Sequence, residues 1–385
     1  MVFHNTVICL ICFIIFLNVP VQAITWSVEK DGSGDFTIIQ HAVDAAAEGD
    51  TIKIGPGRYE DFFDFEAPAW TEPAVIGVTK NNLTFIGAGK ELTFVGPSQL
   101  FNPPGMSPMA VICIENYFGK FQGLSFENVN TGIYWACGRV EVSGCSFLGS
   151  EHGMIVFNEG GVLIENSGFE MTHGMDNGVI SFFPCRDLTV FNCRFGGSGK
   201  AISLNGTVNA SVNSCEFSSE RAGVGIKGGS RGIMSNCQFS NNVGLGVWVS
   251  NNSFLQLNNN QIYGSFSALY LETNSHVAGA ENEFEGGADV STIYASYGSS
   301  VTLHDCHIYR TGDYAFKTEY FAGPFVEQDM IGNYWGTTDP DLVAGWIWDQ
   351  NDDPANFSIV NFLPMANGPV PTENTSWGSV KAMFR

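Results

Sequence analysis

Short apolar runs of three to five residues alternate with Gly, Asn and Ser along most of the chain, and one eight-residue pattern returns at a nearly fixed interval. It reads VEVSGCSF (140–147), VLIENSGF (162–169), LTVFNCRF (188–195), ASVNSCEF (210–217), GIMSNCQF (232–239), LQLNNNQI (255–262), VAGAENEF (277–284) and VTLHDCHI (301–308). The sixth position falls at 145, 167, 193, 215, 237, 260, 282 and 306, with spacings of 22, 26, 22, 22, 23, 22 and 24. A second apolar run precedes each pattern: IVF (155–157), VISFF (179–183), AISLN (201–205), VGIK (224–227), VWVS (247–250), ALYLE (268–272) and TIYAS (292–296). Neither run has helical periodicity, so each unit is two or more short strands joined by turns.

A unit this small cannot bury its own apolar face, and successive units must stack with parallel ladders between them. The pattern predicts an all-β fold, a single-stranded right-handed parallel β-helix of about 22-residue coils over residues 51–335. At roughly 4.8 Å per coil, about a dozen coils make a rod roughly 55 Å long. Within a coil the Cys position and the Phe two residues later point into one dry core. The residue before the Cys position is Gly144, Asn166, Asn192, Ser214, Asn236, Asn259, Glu281 or Asp305. Small polar residues there suit a left-handed bend, and the Asn side chains can stack in a ladder.

Open solenoid ends need covers. Residues 24–50 supply a strand and a helix, with Thr37 and Gln40 at capping-box spacing and Ile38, Ile39, Ala42, Val43 and Ala46 on one face. Residues 336–368 supply a C-terminal cap: Asp339 as N-cap, Pro340 in the first turn, and an apolar face of Leu342, Val343, Trp346 and Ile347. Residues 369–385 form a flexible tail carrying Trp377, Lys381, Phe384 and Arg385. Residues 1–23 contain an apolar run from Val7 to Leu17, too short to span a bilayer, and end in small residues at Ala23. They read as a secretory signal peptide, which places the protein outside the cell or at its surface.

Charge narrows the partners. With 39 acidic against 17 basic residues the net charge is −22, a field that repels nucleic acid and favours cations, neutral ligands and a soluble monomer. Five cysteines, Cys145, Cys193, Cys215, Cys237 and Cys306, share one repeat position, where adjacent coils give parallel Cβ vectors that suit a disulfide poorly. An unbridged core ladder is therefore expected. Cys137 and Cys185 stand two coils apart, too far to pair.

Two constellations are candidate sites. Twelve residues before positions 260, 282 and 306 stand Trp248, Tyr270 and Tyr294, whose neighbours Val247, Val249, Leu269, Leu271, Ile293 and Ala295 should point inward. The three aromatics then face outward on consecutive coils, with Lys227, Ser250, Glu272 and Ser296 beside them. A flat aromatic stripe next to polar groups is a surface on which sugar rings can stack, so Trp248, Tyr270, Tyr294, Lys227 and Glu272 are the expected carbohydrate-binding residues. The second is DQNDDP: Asp349, Asn351 and Asp353 follow the spacing that opens a Ca²⁺ loop, although Pro354 replaces the Gly and Val360 the bidentate Glu. His152 and His173 sit near neighbouring coils without a ligand partner at metal spacing.

The segments VEKDGSGDFTIIQHAVDAA and GPGRYED resemble the opening of pectin methylesterases and of many secreted bacterial right-handed β-helix proteins, and GNYWGTTDPDL resembles a segment of the latter. With the repeats, this resemblance to pectate-lyase-like β-helix proteins covers residues 26 to about 350. It implies the fold and, through what such proteins often do, a polysaccharide partner held along the side of the rod. It does not carry an activity across. The Gln-Asp-Thr, Asp-Phe-Ile-Phe-Gly and Leu-Gly-Arg-Pro-Trp segments of pectin methylesterases have no counterpart here. Of the polygalacturonase motifs only fragments stand, EHG at 151, THG at 172 and GIK at 225. An inverting hydrolase needs two carboxyl groups across one bond, and β-elimination needs a base with something to neutralise the uronate. Lys227, Arg221 and Arg231 are the basic cluster of the central coils. A polysaccharide lyase or glycoside hydrolase with a non-standard site, and a non-catalytic surface-structural or adhesive protein, stand as alternatives to simple glycan engagement.

Overall fold

The computed structural model describes residues 22–369 except 102, 158–159, 172–176, 183–184, 198, 208, 220, 241–243, 289 and 321. The expected signal peptide and tail, and His173, lie outside the described residues. Three strands per coil build three parallel ladders. A first ladder runs from Trp70–Gly77 through Ala222–Lys227, Leu245–Val249, Ser267–Leu271 and Ile293–Ser296 to Ile347–Trp348. A second runs from Thr25–Val28 to Ser358–Asn361, and a third from Gly57–Tyr59 to His307–Arg310. The first two merge into one 25-stranded sheet because Met109–Gln122 and Thr131–Ser143 bend from one ladder into the other, while the third is a separate 11-stranded sheet. Among the described residues the one antiparallel pair is Phe63–Ala67 with Trp70–Gly77, a hairpin laid on the outside of the first ladder.

The corners follow the sequence. Asn166, Asn192, Ser214, Asn236, Asn259, Glu281 and Asp305 take φ between 50° and 59°, the left-handed bend that turns the second-ladder strand into the third. Asn192 Nδ2 donates to Asn166 Oδ1 and Asn259 Nδ2 to Asn236 Oδ1, both at 2.7 Å, so corner side chains brace adjacent coils. Inside, Phe147, Phe169, Phe195, Phe217 and Phe239 stack with ring centroids 4.5, 4.8, 5.2 and 4.5 Å apart. The neighbouring slot holds Cys145, Ser167, Cys193, Cys215 and Cys237, then Asn260, Asn282, Cys306 and Asn333. No disulfide links the described cysteines, and the ladder members keep the parallel Cβ vectors that suit a bridge poorly. Burial pushes Cys145 and Cys306 up to about 12. The buried amides are fully engaged: Asn260 Oδ1 accepts from Cys237 N at 3.0 Å, and Asn260 Nδ2 donates to Met234 O and to Asn282 Oδ1.

Both ends depart in detail from expectation. Thr25–Val28 pairs in parallel with Thr51–Ile54, so the coils begin before residue 51. Helix α1 (Ile39–Ala45) starts after Ile38, which makes no side-chain cap, so the expected Thr37–Gln40 box does not form. Gln40 is drawn away to Gly77, whose N–H it accepts at 2.8 Å. Ile39, Ala42 and Val43 are buried in the core as predicted. At the other end Asp339 caps helix α2 (Pro340–Ala344) by accepting from Asp341 N and Leu342 N. Val343 and Ile347 are buried, but Leu342 is 51% exposed: a helix of five residues presents only one such position inward. Ile347–Trp348 and Ser358–Asn361 then extend the first and second ladders past residue 335. No helix among the described residues is long and apolar enough to cross a membrane.

Candidate functional site

Register along the first ladder places Gly77, Ile112, Tyr134, Ile155, Ser203, Gly225, Trp248, Tyr270, Tyr294, Lys317 and Trp348 on one outward column. Val247, Val249, Leu269, Leu271, Ile293 and Ala295 are all fully buried between them, so the three predicted aromatics stand together on consecutive coils.

Their presentation differs from a flat stripe. Tyr270 and Tyr294 stack with centroids 4.6 Å apart and planes 16° from parallel, and Tyr294 is only 8% exposed. Lys200 Nζ lies 4.8 Å from the centroid of the Trp248 ring, which leans over the side-chain-free Gly225. Ring faces are therefore spent along the rod axis, and solvent meets edges and polar tips. Trp248 Nε1 donates to Glu272 Oε1 at 3.1 Å, and the Tyr294 hydroxyl to Glu319 Oε2 at 2.8 Å. Lys317 Nζ pairs with Glu319 Oε1 at 2.7 Å. Burial, then the hydrogen bond to Glu319 and its charge, push the Tyr294 phenol above its ordinary range. Burial also works against the Glu319 carboxylate, but hydrogen bonds from Lys317 and Tyr294 outweigh it and hold its pKa low.

Cations gather on the side of Trp248 nearer the N-terminus. The Lys200 ammonium is depressed below the usual lysine range, first by burial and then by the charges of Lys227 and Arg221. Lys227 stands two residues beyond Gly225 on its strand, and Lys200 joins it from the preceding coil; Arg231 sits instead on the second ladder. Lys200 stands two coils before Trp248, a juxtaposition that strand alternation alone does not supply. On the strands of Lys200 and Lys227 themselves the column residues Ser203 and Gly225 are small, and toward the N-terminal end Trp70, Tyr134 and Phe157 form an aromatic wall with centroid separations of 5.9 and 5.3 Å. The hairpin backs that wall through Phe65, which packs against Gly77.

In the DQNDDP segment Asp349 and Asp353 accept from backbone amides. Asp349 is buried, and its two oxygens accept from Asn351 N and Val360 N, both at 2.8 Å. Asp353 accepts from Ala355 N, and Asn351 is exposed. Among the described residues no three His, Cys, Asp or Glu gather where they could hold a metal. His152 is half-buried, and burial depresses its imidazole against the opposing charge of Glu151.

Residues 177–331 match the family described as right handed beta helix region. The chain is a right-handed parallel β-helix protein. The pectate-lyase-like character read from its opening segments and repeats fits this β-helix assignment. A solved structure with a similar path is the A-module of the mannuronan C-5 epimerase AlgE4 of Azotobacter vinelandii, at 14% identity and a TM-score of 0.44, covering 85% of this chain and 91% of that one. A further match among solved structures is ORF18 of Geobacillus virus E2, at 10% identity and a TM-score of 0.23, covering 84% of this chain and 58% of that one. No curated protein matches the β-helix significantly.

Proposed function

We propose that this β-helix is an exported protein that holds an acidic polysaccharide along the outer face of the first ladder. The observation that carries this reading is the half-buried Lys200 set among Lys227, Arg221 and the Trp248 ring. A molecule of net charge −22 repels polyanions in general, so a sugar acid can dock only where positive charge is locally concentrated. Like charges already depress the Lys200 ammonium, and a carboxylate placed among the three cations relieves that repulsion. Toward the C-terminal end the carboxylates of Glu272 and Glu319 and the phenol oxygens of Tyr270 and Tyr294 offer acceptors to sugar hydroxyls, while a second anionic group is turned away by the carboxylates. The resemblance to pectate-lyase-like proteins points to the same class of partner.

Electrophoresis through gels containing polygalacturonate or alginate tests it. Both Trp248→Ala and the double substitution Lys200→Gln/Lys227→Gln should weaken retardation at least fivefold, and raised salt should do the same. Retardation unchanged in both variants overturns the proposal. Unsaturated product or new reducing ends released from either glycan would make the protein a lyase or hydrolase that uses this face.

A further inference from the structure

The second ladder carries a hollow of about 410 Å³ that the first-ladder reading does not use. Register sets Asp187, Asn209, Arg231, Phe254 and His276 in one outward column on consecutive coils. Thr189, Ser211, Ile233 and Gln256 form the column beside it. One face of Phe254 is covered by the His276 ring on the next coil, with centroids 5.4 Å apart and planes 24° from parallel. His276 is fixed by Ser300 at 2.7 Å, and burial holds its imidazole below the usual range, so the stack is between neutral rings near pH 7. Phe254 lines the hollow on the coil after Arg231. Asn209 Nδ2 donates to Asp187 Oδ1 at 3.0 Å, which fixes two planar polar groups on the far wall. Ile233, 48% exposed, supplies an apolar side to the floor.

We infer that this hollow is a second binding site, one that takes a neutral sugar ring. A sugar ring has apolar C–H faces and a rim of adjacent hydroxyls, and the lining of the hollow meets both: Phe254 and Ile233 for the former, and the Asp187 carboxylate, Asn209 carboxamide and Arg231 guanidinium for the latter. The volume lies in the range of small-ligand sites and is too small for a folded partner. One aspartate and one arginine leave the lining without net charge, in contrast to the cationic end of the first ladder, so the ligand is a neutral residue rather than a sugar acid. The site is separate from the first-ladder face and stands whether or not acidic glycan binds there.

Calorimetric titration of the whole chain with cellohexaose and with mannohexaose tests the inference. At least one oligomer should bind, with affinity reduced at least tenfold in Phe254→Ala and in Asp187→Ala, and unchanged in Trp248→Ala. Asp187→Ala removes an exposed side chain with no core packing, so it reports on the site even if Phe254→Ala disturbs folding. Binding of neither oligomer, binding indifferent to both second-ladder substitutions, or binding abolished by Trp248→Ala would each overturn it. Loss of acidic-glycan retardation with neutral binding intact would remove only the first-ladder proposal.

Discussion

At the scale of single residues, the corner positions show how strictly backbone geometry chooses a side chain. Asn236 sits at φ 55° and accepts from Asn259 Nδ2, so it contributes a conformation and a brace at once. An L-residue in the left-handed region costs about 1–2 kcal/mol, which Asn tolerates and a β-branched residue does not. Asn236→Val should therefore destabilise by about 2 kcal/mol in urea titration, while Asn236→Gly should lose only the brace, about 1 kcal/mol. Equal losses in the two variants would mean that backbone strain does not govern the corner. These bends were legible in the sequence because one position per coil had to be small and polar. Lys200 was not, since its contact with Trp248 depends on how rings rotate across two coil steps. Alternation says which residues face out, not which way a ring's face turns, and for that reason the expected open stripe became a stack of edges. Gln40 was misread for a related cause: its partner Gly77 N–H lies 37 residues away, and local spacing cannot reveal such a competitor.

At the scale of the element, each strand has little meaning alone. A two- to six-residue strand gains its stability from the coil before and the coil after, and the Phe stack is the visible form of that dependence. Phe195 is 1% exposed between Phe169 and Phe217, and its removal leaves a void that the flanking coils, held in register by ladder hydrogen bonds, cannot close. Phe195→Ala should cost about 3–5 kcal/mol. Phe195→Leu, which keeps most of the volume, should cost clearly less, and denaturant melts of the two variants compare them. Equal costs would show that stacking geometry rather than filled volume sets the penalty. The repeat interval made this element readable from sequence, because a mismatch of one residue would turn every Phe outward. The buried amides of Asn260 and Asn282 took the cysteine slot as the alignment placed them, yet their bonds to carbonyls inside the rod follow from the coil geometry.

At the scale of the whole molecule, a rod built from nearest-neighbour contacts can open at an end or as a block, and its thiols report which. Cys193, Cys215 and Cys237 occupy one slot on three consecutive coils, all at most 3% exposed, beneath the Phe stack. Thiol reagents need the thiolate, and burial that pushes a thiol such as Cys145 to about 12 leaves only one part in ~10⁴ ionised at pH 8 even before access is considered. Native protein should accordingly be labelled first at Cys137, the one half-buried thiol among the described residues. Because each of the three central thiols lies in a coil clamped on both sides, none can be exposed without breaking the stack on both sides of it. Titration with urea should thus label Cys193, Cys215 and Cys237 in one phase that coincides with loss of β signal, read by peptide mass spectrometry. Three separate labelling rates well below the unfolding midpoint would show that coils open singly, and the stacked core would then be a set of independent contacts rather than a cooperative unit.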